Sequence, residues 1–305
     1  MSALANLAKH TIIVADTGDL SAIARLNPVD ATTNPSLITA AFKSGEHDAL
    51  IGEVAGMDTD EAIDYLTVAL GKKISELIAG RVSTEVDARL SFDTEGTIKK
   101  AHELIARYQQ AGVDKSRILI KIAATWEGIQ AAKTLEQEGI ACNLTLLFTK
   151  AQAIACADAN VTLISPFVGR ITDFQKARDG VDSVAISDDM GVNSVKQIYQ
   201  YYKDYGYSTQ VMGASFRSTA QILALAGCDL LTIAPALLDE LSNSELDVPR
   251  QLTPSQNIQA KPAPISEAQF RAAQENDPLD ALVHKGIDGF IKARDELAQL
   301  LQNKV

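Results

Sequence analysis

Eight short apolar runs, each followed by or alternating with a helical pattern, constrain the fold of this chain more than any other feature. They are residues 11–18 (TIIVADTG), 30–34 (DATTN), 81–87 (RVSTEVD), 118–124 (ILIKIAA), 142–148 (CNLTLLF), 162–169 (TLISPFVG), 209–215 (TQVMGAS) and 230–235 (LLTIAP). Short segments of this kind, bounded by turn-forming residues, read as strands. Helical patterns fill the intervals at 34–45, 58–80, 93–112, 125–139, 149–160, 193–206 and 217–227. Asp58 or Thr59 is set to cap the second, and several end at glycine. Parallel strands joined by helical crossovers predict an α/β fold. Eight such units predict one domain over 1–305, a closed (β/α)8 TIM barrel with additional N- and C-terminal helices. An open doubly wound sheet is the competing arrangement, but no GxGxxG follows any strand.

Residues 242–266 break the rhythm with four prolines and few apolar positions, and read as a connector. A terminal helix follows, with Asp277 as cap and Pro278 at its first position. Leu279, Leu282, Val283, Ile287, Phe290, Ile291, Leu297, Leu300 and Leu301 form its apolar stripe, to be packed on the barrel or a partner subunit.

An apolar share of 46% supplies a core, while a net charge of −11 argues against nucleic-acid or anionic-membrane partners. An anionic ligand would have to meet locally placed arginines. No apolar stretch approaches the roughly 20 residues that span a bilayer, and the first residues do not read as a signal peptide. Cys142, Cys156 and Cys228 have no CxxC spacing and fit small buried hydrophobes of a reducing cytoplasm. His10, His47, His102 and His284 match no ligand spacing, so no metal site is expected.

Alternate residues of a barrel strand point inward or toward the helices. If the apolar parity faces the helices, the inward set contains Asp16, Asn34, Glu85, Lys121, Asn143, Thr145, Ser165 and Phe167. Ser215 follows in the seventh strand, and Arg170 and Arg217 lie beyond strand ends. By the same parity, Leu144, Leu146 and Phe148 face outward. Barrel enzymes place their chemistry at the C-terminal strand ends, where most of these polar residues fall.

Lys121, in the middle of ILIKIAA, is the sharpest of them. A lysine there either snorkels or pairs with a carboxylate, or it is held unprotonated and attacks a carbonyl. A Schiff base formed in that way is an electron sink that permits cleavage of the adjacent C–C bond. Asp16 and Glu85 supply candidate acid/base groups, or else an idle ion pair. Asn34, Asn143, Thr145 and Ser165 suit a polyhydroxylated chain, and Arg170 with Arg217 suits a phosphate. Phe167 either keeps water from the lysine or simply packs.

DATTNPSLI (30–38), RVSTEVDARLSFDTEG (81–96), ILIKIAATWEGI (118–129), GIACNLTLLFTKAQA (139–153), LISPFVGRI (163–171), QIYQYYK (197–203) and VMGASFR (211–217) together resemble the transaldolases, class I of the bacterial and eukaryotic type. The resemblance implies transfer of a dihydroxyacetone unit between sugar phosphates in the non-oxidative pentose phosphate pathway. Lys121 would be the Schiff-base residue, Asp16 the general acid/base, and Glu85 with Thr145 the pair positioning a catalytic water. Asn34, Asn143 and Ser165 would contact sugar hydroxyls; Ser215, Arg170 and Arg217 would hold the phosphate; Phe167 would be the aromatic beside the lysine. No cofactor and no metal is implied, and a homodimer is. Residues 39–80 and 171–193 depart from the family pattern without touching these positions. The competing functions are a Schiff-base aldolase that releases free dihydroxyacetone and an inactive barrel that only binds.

Overall fold

The computed structural model describes residues 1–304. Its eight strands are β1 (Ile12–Asp16), β2 (Asp30–Thr32), β3 (Val82–Glu85), β4 (Ile118–Ala123), β5 (Cys142–Leu147), β6 (Leu163–Pro166), β7 (Gln210–Gly213) and β8 (Leu230–Ile233). They pair in parallel in chain order, and β8 returns to β1, closing the barrel. Each strand lies within the run that foretold it, trimmed where residues leave the ladder to start a loop or helix.

Local chemistry sets many of these joints. The Asp58 carboxylate accepts from the backbone N–H of Asp60 and caps helix Thr59–Leu77. Asp93, Thr125 and Thr149 cap the next three long helices in the same way, Thr149 within a reciprocal capping box with Gln152. Gly112 and Gly139 stop two helices at φ of 83° and 75°, a conformation that other residues adopt at a cost.

Val14, Leu119, Leu163, Met212 and Leu230 pack together as the apolar floor of the barrel interior. The inward residues one step further along the strands are polar, and register places them side by side: Glu85 opposite Lys121, Lys121 opposite Asn143. The helix-facing sides of the strands join the large outer core.

Strand alternation fails at two places. Neither Leu146 nor Phe148 continues the outward set, which Leu144 and Leu147 join instead. The β5–β6 register shifts between Leu144 and Leu147, and Leu146 takes φ 53°. This bulge turns Leu146 and Phe148 into a second apolar cluster with Phe167, Ile287 and Phe290. Ser215 likewise lies beyond the end of β7, at φ 62°. With Met212 inward, plain alternation would send Ser215 outward; the left-handed turn brings it back to the pocket rim.

A short helix, Ala3–Leu7, precedes the barrel. Residues 243–266 contain no regular element, although Gln251 and Leu252 both donate to the Ala226 carbonyl. Helices Leu20–Leu26, Asp48–Glu53, Gly169–Asp179 and Pro235–Ser242 fall outside the helical patterns read from the sequence, and two elements near the C-terminus also differ from expectation. Helix Glu267–Glu275, capped by Ser266, went unforeseen in the sequence. The terminal helix runs Asp280–Lys304; Asp277 instead caps the turn before it, accepting from Leu279 at 2.9 Å. Among the described residues no helix is long and apolar enough to cross a membrane.

Candidate active site

Lys121 occupies the fourth position of β4 and shares the parity of Leu119, which packs in the barrel floor, so its side chain enters the barrel interior. It is 4% exposed. Its Nζ donates to the Thr33 carbonyl at 3.0 Å and stands 3.4 Å from Glu85 Oε2. That second contact is an ion pair without hydrogen-bond alignment, because Glu85 Oε2 has no hydrogen-bond partner within the protein. Thr145 Oγ1 is a second buried polar atom without one. Unpartnered buried oxygens are costly in a stable fold, and at such a site they point to a ligand or water that would satisfy them.

Burial raises the Glu85 carboxyl to about 7, against the opposing pull of Lys121 and Arg170. Asp16 is also raised, again chiefly by burial, with Lys121, the Thr32 hydroxyl and Arg170 acting against the rise. The Thr32 Oγ1 donates to Asp16 at 2.9 Å and is itself 2.6 Å from the Thr232 hydroxyl. Three strands therefore fix one carboxylate at the barrel mouth. Two carboxyl groups of different surroundings beside one amine are placed to pass protons among themselves and a bound molecule.

A pocket of about 240 Å³ opens above them. Asp16, Asn34, Lys121, Thr145, Ser165, Phe167, Arg170, Ser215 and Arg217 all line it. Glu85 and Asn143 do not. Glu85 sits behind the lysine, and Asn143 behind Ser165, from whose hydroxyl it accepts at 2.6 Å while donating to Ser83 at 3.0 Å. Asn34 is partly committed: its Oδ1 accepts from Leu37 N–H at 3.0 Å and caps helix Pro35–Lys43.

The two arginines differ. Arg170 makes no ion pair among the described residues; its guanidinium carbon lies 4.9 Å from the Phe167 ring centroid and 5.8 Å from that of Phe290. Burial and the neighbouring Arg217 charge lower its pKa, so an anion in the pocket would relieve both. Arg217 is half exposed and bound to Asp173 at 2.8 Å, with its Nη1 3.4 Å from Ser215 Oγ. Together they form a cationic rim that a phosphate dianion fits.

Thr32, Thr232 and Phe290 also line the pocket and were not among the expected residues. Thr32 shares parity with Asn34 and Thr232 with Leu230, so the alternation that found the others contained both. Phe290 had only the signal of an apolar helix stripe. Cys142, Cys156 and Cys228 are buried free thiols, and no cluster of His, Cys, Asp or Glu among the described residues is arranged to hold a metal.

The sequence model of the family described as transaldolase/fructose-6-phosphate aldolase matches residues 13–301. A transaldolase of Methylococcus capsulatus is 51% identical over 321 residues, covering 99% of this chain and 97% of that protein. One of Shewanella pealeana is 53% identical over 313 residues, covering 99% and 98%. One of Thermosynechococcus vestitus is 51% identical over 318 residues, covering 99% and 81%.

Proposed function

This chain belongs to the transaldolase/fructose-6-phosphate aldolase family, and from that premise we propose that it is a transaldolase of the pentose phosphate pathway. It takes a dihydroxyacetone unit from a phosphorylated ketose, sedoheptulose 7-phosphate or fructose 6-phosphate. It passes that unit to glyceraldehyde 3-phosphate or erythrose 4-phosphate. The observation that carries this reading is the Lys121 amine, sealed in the barrel between the Thr33 carbonyl and Glu85 yet lining the sugar-sized pocket.

The Lys121 nitrogen adds to the ketone carbon, and loss of water leaves an iminium. Asp16 takes the proton from the hydroxyl beside the scissile bond; that bond breaks, an aldehyde leaves, and its electron pair becomes the enamine. The acceptor aldehyde then adds at the same carbon, and Asp16 returns the proton. Glu85 and Thr145 hold the water that enters and leaves with the carbinolamine, a role supported by their unpartnered oxygens. Asn34 and Ser165 meet substrate hydroxyls, with Asn143 steadying Ser165 from below. Arg170, Arg217 and Ser215 receive the phosphate, and Phe167 braces Arg170. The assembly we propose is a homodimer at work in the cytoplasm, and light scattering giving the mass of one chain would remove that part.

Borohydride reduction in the presence of fructose 6-phosphate, followed by peptide mass spectrometry, tests the chemistry. The expected result is a three-carbon adduct on Lys121, absent from Lys121→Ala, whose turnover falls roughly 10⁴-fold or more with its fold retained. Adduct on another lysine, or none, defeats the reading.

A further inference from the structure

The terminal helix Asp280–Lys304 carries one ring into the pocket that the steps above do not use. Phe290 is 3% exposed and packs with Phe148, Phe167 and Ile287, yet it lines the pocket. Its ring centroid lies 6.0 Å from Lys121 Nζ and 5.8 Å from the Arg170 guanidinium carbon. One aromatic face is thus in reach of both the nitrogen that carries the donor and the cation that meets its phosphate.

The helix is held in that position from several sides. Arg294, one turn beyond Phe290, is buried and pairs with Asp87 at 3.1 Å and Asp60 at 2.9 Å. Asp87 lies two residues past Glu85, so the helix is tied to the strand that bears the site carboxylate. Thr39 Oγ1 donates to the Ala293 carbonyl at 2.7 Å. One turn before Phe290, Gly286 gives room for the approach: a Cβ there would stand 2.5 Å from Leu146 Cδ2 and 3.1 Å from Arg170 Nη1.

From this placement we infer that Phe290 is a specificity-determining residue, which decides whether the three-carbon unit is transferred or released. The inference rests on the transaldolase reading. The enamine on Lys121 has two fates. Its carbon attacks an acceptor aldehyde, or it takes a proton from water. In the second case the resulting iminium adds the hydroxide left behind, the C–N bond breaks, and free dihydroxyacetone leaves with one water consumed. Beyond the water that Glu85 and Thr145 hold, phenylalanine fills space that further water would need, and it has no proton to give. Removing the ring lets water in and shifts the partition toward release.

The test uses full-length wild type, Phe290→Ala and Phe290→Leu with fructose 6-phosphate, with and without erythrose 4-phosphate. Free dihydroxyacetone is counted against transfer product, and borohydride trapping on Lys121 is run alongside. The expected result is a release-to-transfer ratio raised about tenfold in Phe290→Ala, with an intermediate value in Phe290→Leu and trapping retained in both. Phe290→Leu preserves most of the packing volume and decides the matter should the alanine variant fold poorly. A ratio within about twofold of wild type in the folded variants, whatever happens to the overall rate, makes Phe290 mere packing and overturns the inference. Wild type that neither traps nor transfers fails at the underlying reading and takes this one with it. Wild type that traps and transfers, beside variants of unchanged ratio, isolates the failure to Phe290.

Discussion

Glu85 owes its chemistry to its surroundings more than any other residue here. Desolvation lifts its carboxyl to about 7, so the group changes charge near neutral pH. For a base whose pKa is raised, the competent carboxylate form grows as pH climbs through that value. The pH profile of kcat/KM is therefore expected to rise through an acid limb near 7, and Glu85→Gln, slower throughout, is expected to lose that limb. An unchanged limb in the variant would assign the titration elsewhere. Most of the site was legible at this scale because inward parity and strand-end position are properties of spacing alone. Lys121, Asp16, Thr145 and Ser165 all line the pocket as spacing implied. Spacing could not tell that Asn143 and Glu85 lie behind that lining, since depth within a barrel depends on side-chain packing. Nor could it tell that Asn34 spends its carbonyl oxygen on a helix cap.

Among the elements, β5 departs from regular geometry, and it does so where it meets the terminal helix. The bulge at Leu146 turns that side chain toward the helix, and Gly286 receives it. Gly286→Val puts two methyls where Leu146 and Arg170 already lie. A helix-propensity gain of a few tenths of a kcal/mol offsets little of an overpacking cost of about 1–3 kcal/mol. The urea midpoint is expected to fall at unchanged m-value, with a higher KM as Arg170 is displaced; a midpoint at or above wild type would show that the helix shifts freely. The eight strands were readable because each is short, apolar and bounded. The bulge was not, because CNLTL alternates as a regular strand would and the apolar Leu147 and Phe148 that follow fit either face, so only the mismatch with β6 reveals it. Helix Glu267–Glu275 escaped notice because it buries only Phe270 and Gln274, too little for an apolar stripe.

In the molecule as a whole, closure of β8 onto β1 leaves no strand edge, and the apolar floor is enclosed on every side. Hydrogen exchange is expected to be slowest in β4, β5 and β6 and fastest along 243–266. Within that stretch Gln251, Leu252, Gln259 and Ile265 are expected to stand out as protected, since each donates to an acceptor elsewhere on the barrel. Uniformly fast exchange across all of 243–266 would mean those tethers open readily. The closed topology was legible from the count of alternating units, whereas the tethers join residues far apart in sequence and leave no local pattern. The long reach of the terminal helix has a consequence for biosynthesis. A nascent polypeptide can expose all eight strands outside the ribosome while Phe290 and Arg294 are still inside the exit tunnel. Such an intermediate carries Lys121 under an unfinished roof, so the pocket that Phe290 helps to line is complete only once translation has passed these turns.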